Sequence, residues 1–133
     1  MQTVVFACVH NAGRSQMAVA LFNAAANPDL ARAISAGTNP GTHVHPEVVR
    51  AMAEVGLDVA HATPQRLTAA LATGASFLIT MGCGDECPVI PGATRDDWPV
   101  PDPKGRSHDE VRVIRDEIGR RVTELITTRG WSR

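Results

Sequence analysis

The sequence predicts an α/β fold in which helices flank a doubly wound parallel sheet. Short apolar segments that favour strands alternate with segments whose apolar residues recur at helical spacing, and this alternation is typical of such folds. The 133 residues are enough for one domain with its own core, and no repeat, low-complexity tract or linker divides them. We therefore expect a single domain over residues 1–133.

The first predicted strand and helix frame a short polar loop. The strand, Thr3–Cys8, contains the run Val-Val-Phe-Ala, which suits a buried parallel strand. Apolar residues at helical spacing then predict a helix over Arg14–Ala26, which Asn27 and Pro28 end. A weaker strand is expected over Ala31–Ala36.

The rest of the chain continues the alternation. Pro46 suits the first position of a helix, and Ser107 with Glu110 has the spacing of a capping box. The remaining predicted elements are a helix from Pro46 to Gly56, a short helix over Gln65–Leu71, strands over Ser76–Met81 and near Ala93–Trp98, and a final helix that Ser107 starts.

Composition and charge exclude several classes of function. A net charge of −1, from 13 basic and 14 acidic residues, gives no indication of binding to nucleic acid or to an anionic membrane. No segment approaches the length needed to cross a bilayer, and no signal peptide is recognised. We expect a cytoplasmic protein, in whose reducing environment three cysteines are more often catalytic or metal-binding than disulfide-forming.

Cys8 closes the first predicted strand and is followed by a loop that leads into a helix. Backbone N–H groups of such a loop point inward at the positive end of the helix dipole and form a seat for a tetrahedral oxyanion. The same field favours the thiolate form of a cysteine at the mouth of the loop. The residues expected to bind the oxyanion are Val9, His10, Asn11, Ala12, Gly13, Arg14 and Ser15.

Arg14 and Ser15 strengthen this interpretation. The planar guanidinium matches two oxygens of a phosphate-like group, and the Ser15 hydroxyl is a donor for the Cys8 sulfur. The alternative is a buried structural cysteine followed by an unrelated surface arginine. The apolar strand before the loop and the amphipathic helix after it favour a catalytic loop.

The other two cysteines, Cys83 and Cys87, are four residues apart. One interpretation is a redox pair that relays electrons to or from Cys8. A second is two inert core thiols, although the polar Gly-Asp-Glu segment between them argues against burial. A third is a zinc site completed by His43 and His45.

Ligands of a doubly wound sheet bind beyond the carboxyl ends of its strands. Cys8 ends the first predicted strand and Cys83 follows the third, so both thiols lie at one edge if these strands are neighbours. Asp102 belongs to a loop that could fold over the anion site, where its carboxyl group either protonates a leaving oxygen or accepts a proton from an incoming thiol. Its alternative role is to start a turn with Pro103.

These residues resemble arsenate reductases built on the low-molecular-weight tyrosine phosphatase fold. The resemblance implies a four-stranded parallel sheet flanked by helices on both faces, and reduction of arsenate to arsenite, an arsenic detoxification, by three thiols. We expect no cofactor and no metal. The potassium ion that some relatives bind is not carried over, because its ligands there correspond here to Val19 and Gln65. The resemblance is carried by Cys8–Ala18, Ser35–Gly37, Cys83, Cys87–Pro88, Trp98, Asp102–Pro103 and Arg115–Ile118.

In the relay that the resemblance implies, Cys8 attacks arsenate held by the loop amides and Arg14, and Asp102 assists the departure of water. Cys83 then attacks the sulfur of the Cys8–arsenic adduct, which releases arsenite and leaves a Cys8–Cys83 disulfide. Cys87 attacks Cys83 in turn, and thioredoxin reduces the resulting Cys83–Cys87 disulfide in relatives of this type. The segment between these two cysteines is shorter here than in thioredoxin-coupled relatives, so mycothiol or glutathione is an alternative electron donor.

Two alternative functions share Cys8 with the reductase. A protein tyrosine phosphatase of this fold shares the loop chemistry, with water in place of Cys83. Such phosphatases typically follow the Asp-Pro pair with aromatic residues that clamp a phenol ring, whereas Lys104 follows here and the chain has no tyrosine. A non-enzymatic thiol-based sensor of metalloids or redox state would need neither Arg14 nor Asp102.

Overall fold

The computed structural model describes residues 1–82, 87 and 89–133. Strands and helices alternate along this part of the chain, as the sequence predicts. In chain order the elements are β1 (Gln2–Cys8), α1 (Arg14–Ala25), β2 (Ala31–Gly37), α2 (Pro46–Ala53), α3 (Ala69–Ala72), β3 (Phe77–Thr80), β4 (Thr94–Asp97) and α4 (His108–Arg129).

The strands form one four-stranded parallel sheet in the order β2-β1-β3-β4. Strand β1 pairs with β2 up to the pair Cys8 and Gly37, and with β3 up to the pair Ala7 and Thr80. Because β2 and β3 flank β1 on opposite sides, the chain order reverses at the carboxyl end of β1. The first and third strands are thus neighbours, which was the condition for placing both of their ends at one edge of the sheet.

Helices α1, α2 and α4 cover one face of the sheet, where most of the aromatic residues are buried. The Phe6 ring of β1 lies 6.0 Å from the Phe22 ring of α1 and 5.4 Å from the Trp98 ring, centroid to centroid. Trp131, which follows α4, packs edge-on against Phe22 at 6.0 Å. This cluster joins the sheet to the helix that carries the end of the candidate anion loop.

The opposite face buries a smaller apolar cluster beneath α3 and its flanking segments. Val5, Ala7 and Leu78 of the sheet pack there with Ala72 of α3 and with Ile90. Helices therefore lie on both faces, as predicted, although α3 spans only four residues.

The predicted helix over Gln65–Leu71 is wrong. This segment begins as an extended strip along the end of β2, where Gly37 N donates to Gln65 O at 2.8 Å and Leu67 N donates to Gly37 O at 2.8 Å. Helix α3 begins only after Thr68. A short helix would leave many of its backbone N–H and C=O groups without hydrogen bonds, whereas the edge of β2 provides partners for them. Pairing with β2 therefore overrides the local preference for helix.

The capping box predicted at the start of α4 is confirmed. The Ser107 hydroxyl accepts from Glu110 N at 3.2 Å, and the Glu110 carboxylate accepts from Ser107 N at 3.2 Å. The Ser107 backbone N–H and the Ser107 hydroxyl, which donates to Glu110 Oε1 at 2.9 Å, lower the pKa of Glu110. Neither α4, with its many charged residues, nor any other helix of the described residues has the length and apolar character of a membrane span.

Candidate functional site

The loop from residue 9 to residue 15 joins β1 to the first turn of α1. Its backbone N–H groups donate to no acceptor in the described part of the chain, whereas the carbonyls of residues 8–13 are all hydrogen-bonded. Unused donors of this kind, clustered at a helix N-terminus, are what binding of an oxyanion requires. The carbonyls accept from Thr38 N, Asn39 N, Gly41 N, Gln16 Nε2, His45 N and Met17 N, at donor–acceptor distances of 2.7 to 3.2 Å.

The Cys8 sulfur is buried at the mouth of this loop, with 2% of the residue exposed. Its Sγ lies 2.9 Å from Ser15 Oγ, and Asn11 Nδ2 donates to the same Ser15 oxygen at 2.7 Å. Because Asn11 already donates to this oxygen, the hydroxyl hydrogen of Ser15 is available to a Cys8 thiolate. The pairing of Cys8 with Ser15 expected from the sequence is therefore present.

Asn11 fixes the shape of the loop. Its φ of 51° is left-handed, which asparagine tolerates better than most residues, and it is fully buried. Its side-chain Oδ1 accepts from Gln65 N at 2.9 Å and from Gln16 Nε2 at 3.3 Å. Sequence reasoning missed both glutamines as supports of the site. Gln16 had a local signal, a polar residue among the apolar residues of the helix, whereas Gln65 had none because it lies 54 residues from Asn11.

Arg14 and Asp102 come together beside the loop. Arg14 Nη1 donates to Val100 O at 3.1 Å, and Nη2 lies 3.9 Å from Asp102 Oδ2. The Arg14 side chain is 11% exposed and that of Asp102 is 45% exposed, so the carboxylate reaches solvent from the edge of the site. Asp102 Oδ1 also accepts from Lys104 N at 3.0 Å. The aspartate thus starts a turn and also faces Arg14, whereas its role as a proton donor stays a prediction.

Of the two remaining cysteines, Cys83 lies outside the described residues. Its neighbour Gly82 is packed against the Arg14 guanidinium, at the end of β3. Cys87 is 3% exposed and belongs to the apolar cluster beneath α3. From the sequence, the polar segment before Cys87 argued against burial of this cysteine. That argument is wrong for Cys87, because its side chain packs against the apolar residues of this cluster.

The described residues contain no group of three or more His, Cys, Asp or Glu side chains that could hold a metal ion. Of the histidines considered for zinc, His43 is hydrogen-bonded through Nδ1 to Thr42 Oγ1 at 2.9 Å. His45 donates its backbone N–H to Ala12 O at 2.9 Å and so supports the loop.

Comparison with known families decides where this loop belongs. The family model described as low molecular weight phosphotyrosine protein phosphatase matches residues 3–129. The chain belongs to this phosphatase family. The match includes the whole Cys8–Ser15 loop and the Asp102–Pro103 turn.

Within the phosphatase family, the similar relatives include arsenate reductases, so the resemblance predicted from the sequence is confirmed. A putative arsenate reductase of Halobacterium salinarum is 37% identical over 126 residues, covering 90% of this chain and 87% of the relative. The structure of a thioredoxin-dependent arsenate reductase of Corynebacterium glutamicum is 37% identical with a TM-score of 0.80, covering 96% of this chain but only 61% of that longer chain. An arsenate reductase structure from Archaeoglobus fulgidus is 32% identical with a TM-score of 0.78, covering 93% and 98% of the two chains.

Gly37, at the end of β2, leaves room for the backbone of the loop from residue 9 to residue 15, hereafter the phosphatase-family loop. A Cβ at this position would lie 2.5 Å from Val9 O and 2.9 Å from Asn11 N. We expect Gly37→Ala to displace the loop backbone and to lower the free energy of unfolding by about 1 to 3 kcal/mol in urea denaturation. The matched control is Gly41→Ala, whose added Cβ makes an ordinary contact at 3.8 Å with Ala12 Cβ. Equal stability of the two variants would contradict this expectation.

A cleft of about 320 Å³ adjoins the phosphatase-family loop and is lined by basic side chains, His10, His43, His45 and Lys104 among them. Burial lowers the pKa of His45 below its ordinary value of 6.5, against smaller opposing effects of Glu47 and Asp102. Among the described residues that line this cleft there is no phenylalanine, tyrosine or tryptophan.

The lowered pKa of His45 predicts a dependence of stability on pH. Between the two pKa values of His45, the ring binds a proton more readily in the unfolded chain than in the folded protein. The free energy of unfolding therefore carries no penalty from His45 above pH 6.5, and it decreases as the pH falls below that value. We expect His45→Gln to lose less thermal stability than the unsubstituted protein between about pH 7.5 and about pH 5.5, measured by scanning calorimetry. The control is His61→Gln, the same substitution at an exposed position. A His45→Gln slope as steep as that of the unsubstituted protein would refute the assignment.

Proposed function

We propose that this protein reduces arsenate to arsenite with Cys8 as the nucleophile. The observation that carries the proposal is the set of unused N–H donors of residues 9–15 around a buried sulfur paired with Ser15. Arsenate resembles phosphate in shape and charge, so a loop built for a phosphate-like group also suits arsenate. The arsenate reductases among its relatives give independent support.

In the first step, the loop amides and Arg14 hold three oxygens of arsenate while the Cys8 thiolate attacks arsenic. A sulfur–arsenic bond forms and an arsenic–oxygen bond breaks, with the oxygen leaving as water. Asp102 supplies the proton, and its exposed carboxyl regains one from solvent. Arg14 neutralises the charge that collects on the bound oxyanion.

In the second step, the Cys83 thiolate attacks the sulfur of Cys8. The electron pair of the sulfur–arsenic bond stays on arsenic, which passes from the +5 to the +3 state and leaves as arsenite, while Cys8 and Cys83 form a disulfide. Cys87 then attacks Cys83 and returns the Cys8 thiolate. Support for this order comes from the pairing of β1 with β3 and from Gly82, which lies against Arg14 directly before Cys83.

Thioredoxin is the electron donor that we propose for the Cys83–Cys87 disulfide, in the cytoplasm, where such dithiols are kept reduced. The Corynebacterium glutamicum relative is described as thioredoxin-dependent. Mycothiol and glutathione are the alternative donors, because only three residues separate Cys83 from Cys87.

The test is arsenate-dependent oxidation of NADPH by the purified protein with thioredoxin and thioredoxin reductase, set beside mycothiol or glutathione with their own reductases. We expect turnover with thioredoxin. Turnover with mycothiol or glutathione but not with thioredoxin would support arsenate reduction by this protein and would change the proposed electron donor.

The variant Cys83→Ser separates the reductase from the two alternative functions. We expect it to lose arsenite production and to keep slow hydrolysis of an aryl phosphate, because only the second step needs Cys83. Hydrolysis of aryl phosphate without arsenate reduction in the unsubstituted protein would identify a phosphatase. No turnover of either substrate, together with tight arsenite binding, would identify a sensor.

A further inference from the structure

Gly82, two residues after the end of β3, lies directly against the Arg14 guanidinium. Its φ is 91°, and a Cβ at this position would clash with Nη1 and lie 3.1 Å from Cζ and 3.3 Å from Nη2. These three atoms belong to one planar group, so the face or edge of the guanidinium rests on the bare backbone of residue 82. A side chain at this position would occupy the same volume as the guanidinium.

This contact sets Gly82 apart from the other described glycines with a left-handed φ. At those positions an added Cβ would meet nothing within 4 Å, so the glycine serves the turn alone. They are Gly56, Gly74, Gly92, Gly105 and Gly130. At Gly82 the glycine serves both the turn and the packing of Arg14.

The guanidinium has little freedom elsewhere. Arg14 Nη1 is bound to Val100 O at 3.1 Å, Nη2 lies 3.9 Å from Asp102 Oδ2, and 11% of the side chain is exposed. Residue 82 therefore forms one wall of a narrow slot and the segment that follows β4 forms another. A guanidinium pushed out of this slot would lose the orientation in which its planar fork matches two oxygens of an anion.

We propose that Gly82 is a positioning residue for oxyanion binding, which acts by leaving the space in which Arg14 faces the loop of residues 9–15. The inference rests on the proposed function in taking that loop as an oxyanion site. The new element is that one arginine side chain, Arg14, both packs against Gly82 and binds the anion. Oxyanion affinity is thereby linked to the backbone conformation of residue 82.

The experiment measures binding of inorganic phosphate by isothermal titration calorimetry. We expect Gly82→Ala to raise the dissociation constant about tenfold to a hundredfold, the loss of a well-oriented charged hydrogen bond. The matched control is Gly74→Ala, which has a similar φ of 81° but open space for the Cβ. It pays the same backbone strain, so we expect its phosphate affinity to be unchanged.

A second background tests whether Gly82 acts through Arg14. In Arg14→Lys the planar group is absent, so adding Gly82→Ala should weaken phosphate binding by less than about threefold further. An equal loss in both backgrounds, or unchanged affinity of Gly82→Ala alone, would overturn the proposal.

A measurement on the folded unsubstituted protein covers the case in which Gly82→Ala does not fold. During phosphate titration followed by NMR, the Gly82 amide should shift with the dissociation constant of the loop amides while Gly74 stays fixed. If the Gly82 amide does not shift while the loop amides do, this inference is overturned but the proposed oxyanion site is not. Absence of any phosphate binding would overturn the proposed oxyanion site and this inference with it.

Discussion

Replacing Cys8 with serine should abolish arsenate reduction while leaving the oxyanion seat intact. Serine is a far weaker nucleophile than a thiolate and forms no disulfide, so we expect arsenite production and aryl phosphate hydrolysis to fall about 10⁴-fold or more. The loop amides do not depend on the sulfur, and Ser15 Oγ, 2.9 Å from Cys8 Sγ, remains a partner for the new hydroxyl. Initial rates with both substrates measure the effect.

Phosphate binding by the same Cys8→Ser variant is the control for folding. We expect its dissociation constant to stay within about threefold of the unsubstituted value, because the loop donors and Arg14 are unchanged. Residual arsenate reduction above about one per cent would rule out Cys8 as the nucleophile. Loss of phosphate binding together with activity would instead indicate that the substitution disrupts the loop.

The second large effect is expected for Arg14→Lys. Lysine keeps the positive charge, but its three N–H groups diverge from one nitrogen and cannot reproduce the planar fork that Arg14 offers to two oxygens of the anion beside its bond to Val100 O. We expect kcat/KM for arsenate to fall about 10²- to 10³-fold, with both a lower kcat and a higher KM. Steady-state kinetics of arsenate reduction measure both constants.

The matched control is Arg32→Lys, the same change at an exposed position on β2. It should leave kcat/KM within about twofold, since neither its charge nor its shape reaches the loop. An Arg14→Lys variant as active as this control would mean that the charge of Arg14 suffices and that its geometry does not matter.

The sequence predicts well those parts of the fold that are determined by residues close together in the chain. The apolar run before Cys8 gives β1, the capping box at Ser107 gives the start of α4, and the sequence Cys8–Ser15 reads as a strand, loop and helix N-terminus. In each case neighbours in the chain decide the outcome, because helix caps and buried parallel strands depend on residues a few positions apart.

The failures of prediction come from contacts between distant segments. The strip around Gln65 follows the edge of β2 rather than its own helical preference, and from there it holds Asn11 in place. Cys87 is buried because an apolar cluster beneath α3 accepts it, which a polar neighbouring sequence does not reveal. The contact of Gly82 with Arg14 also joins segments far apart in the chain, and only the assembled sheet brings them together.

The anchoring of the loop carbonyls to Thr38, Asn39, Gly41 and His45 has a consequence for the newly made protein. Cys8 is synthesised long before these residues, and longer still before Gln65 reaches Asn11. A nascent or truncated chain therefore carries an ordinary thiol with nothing around it to capture an anion. The seat for the anion is therefore completed only when these later segments have docked, and a chain that ends before residue 65 lacks the contact that holds Asn11 in the loop.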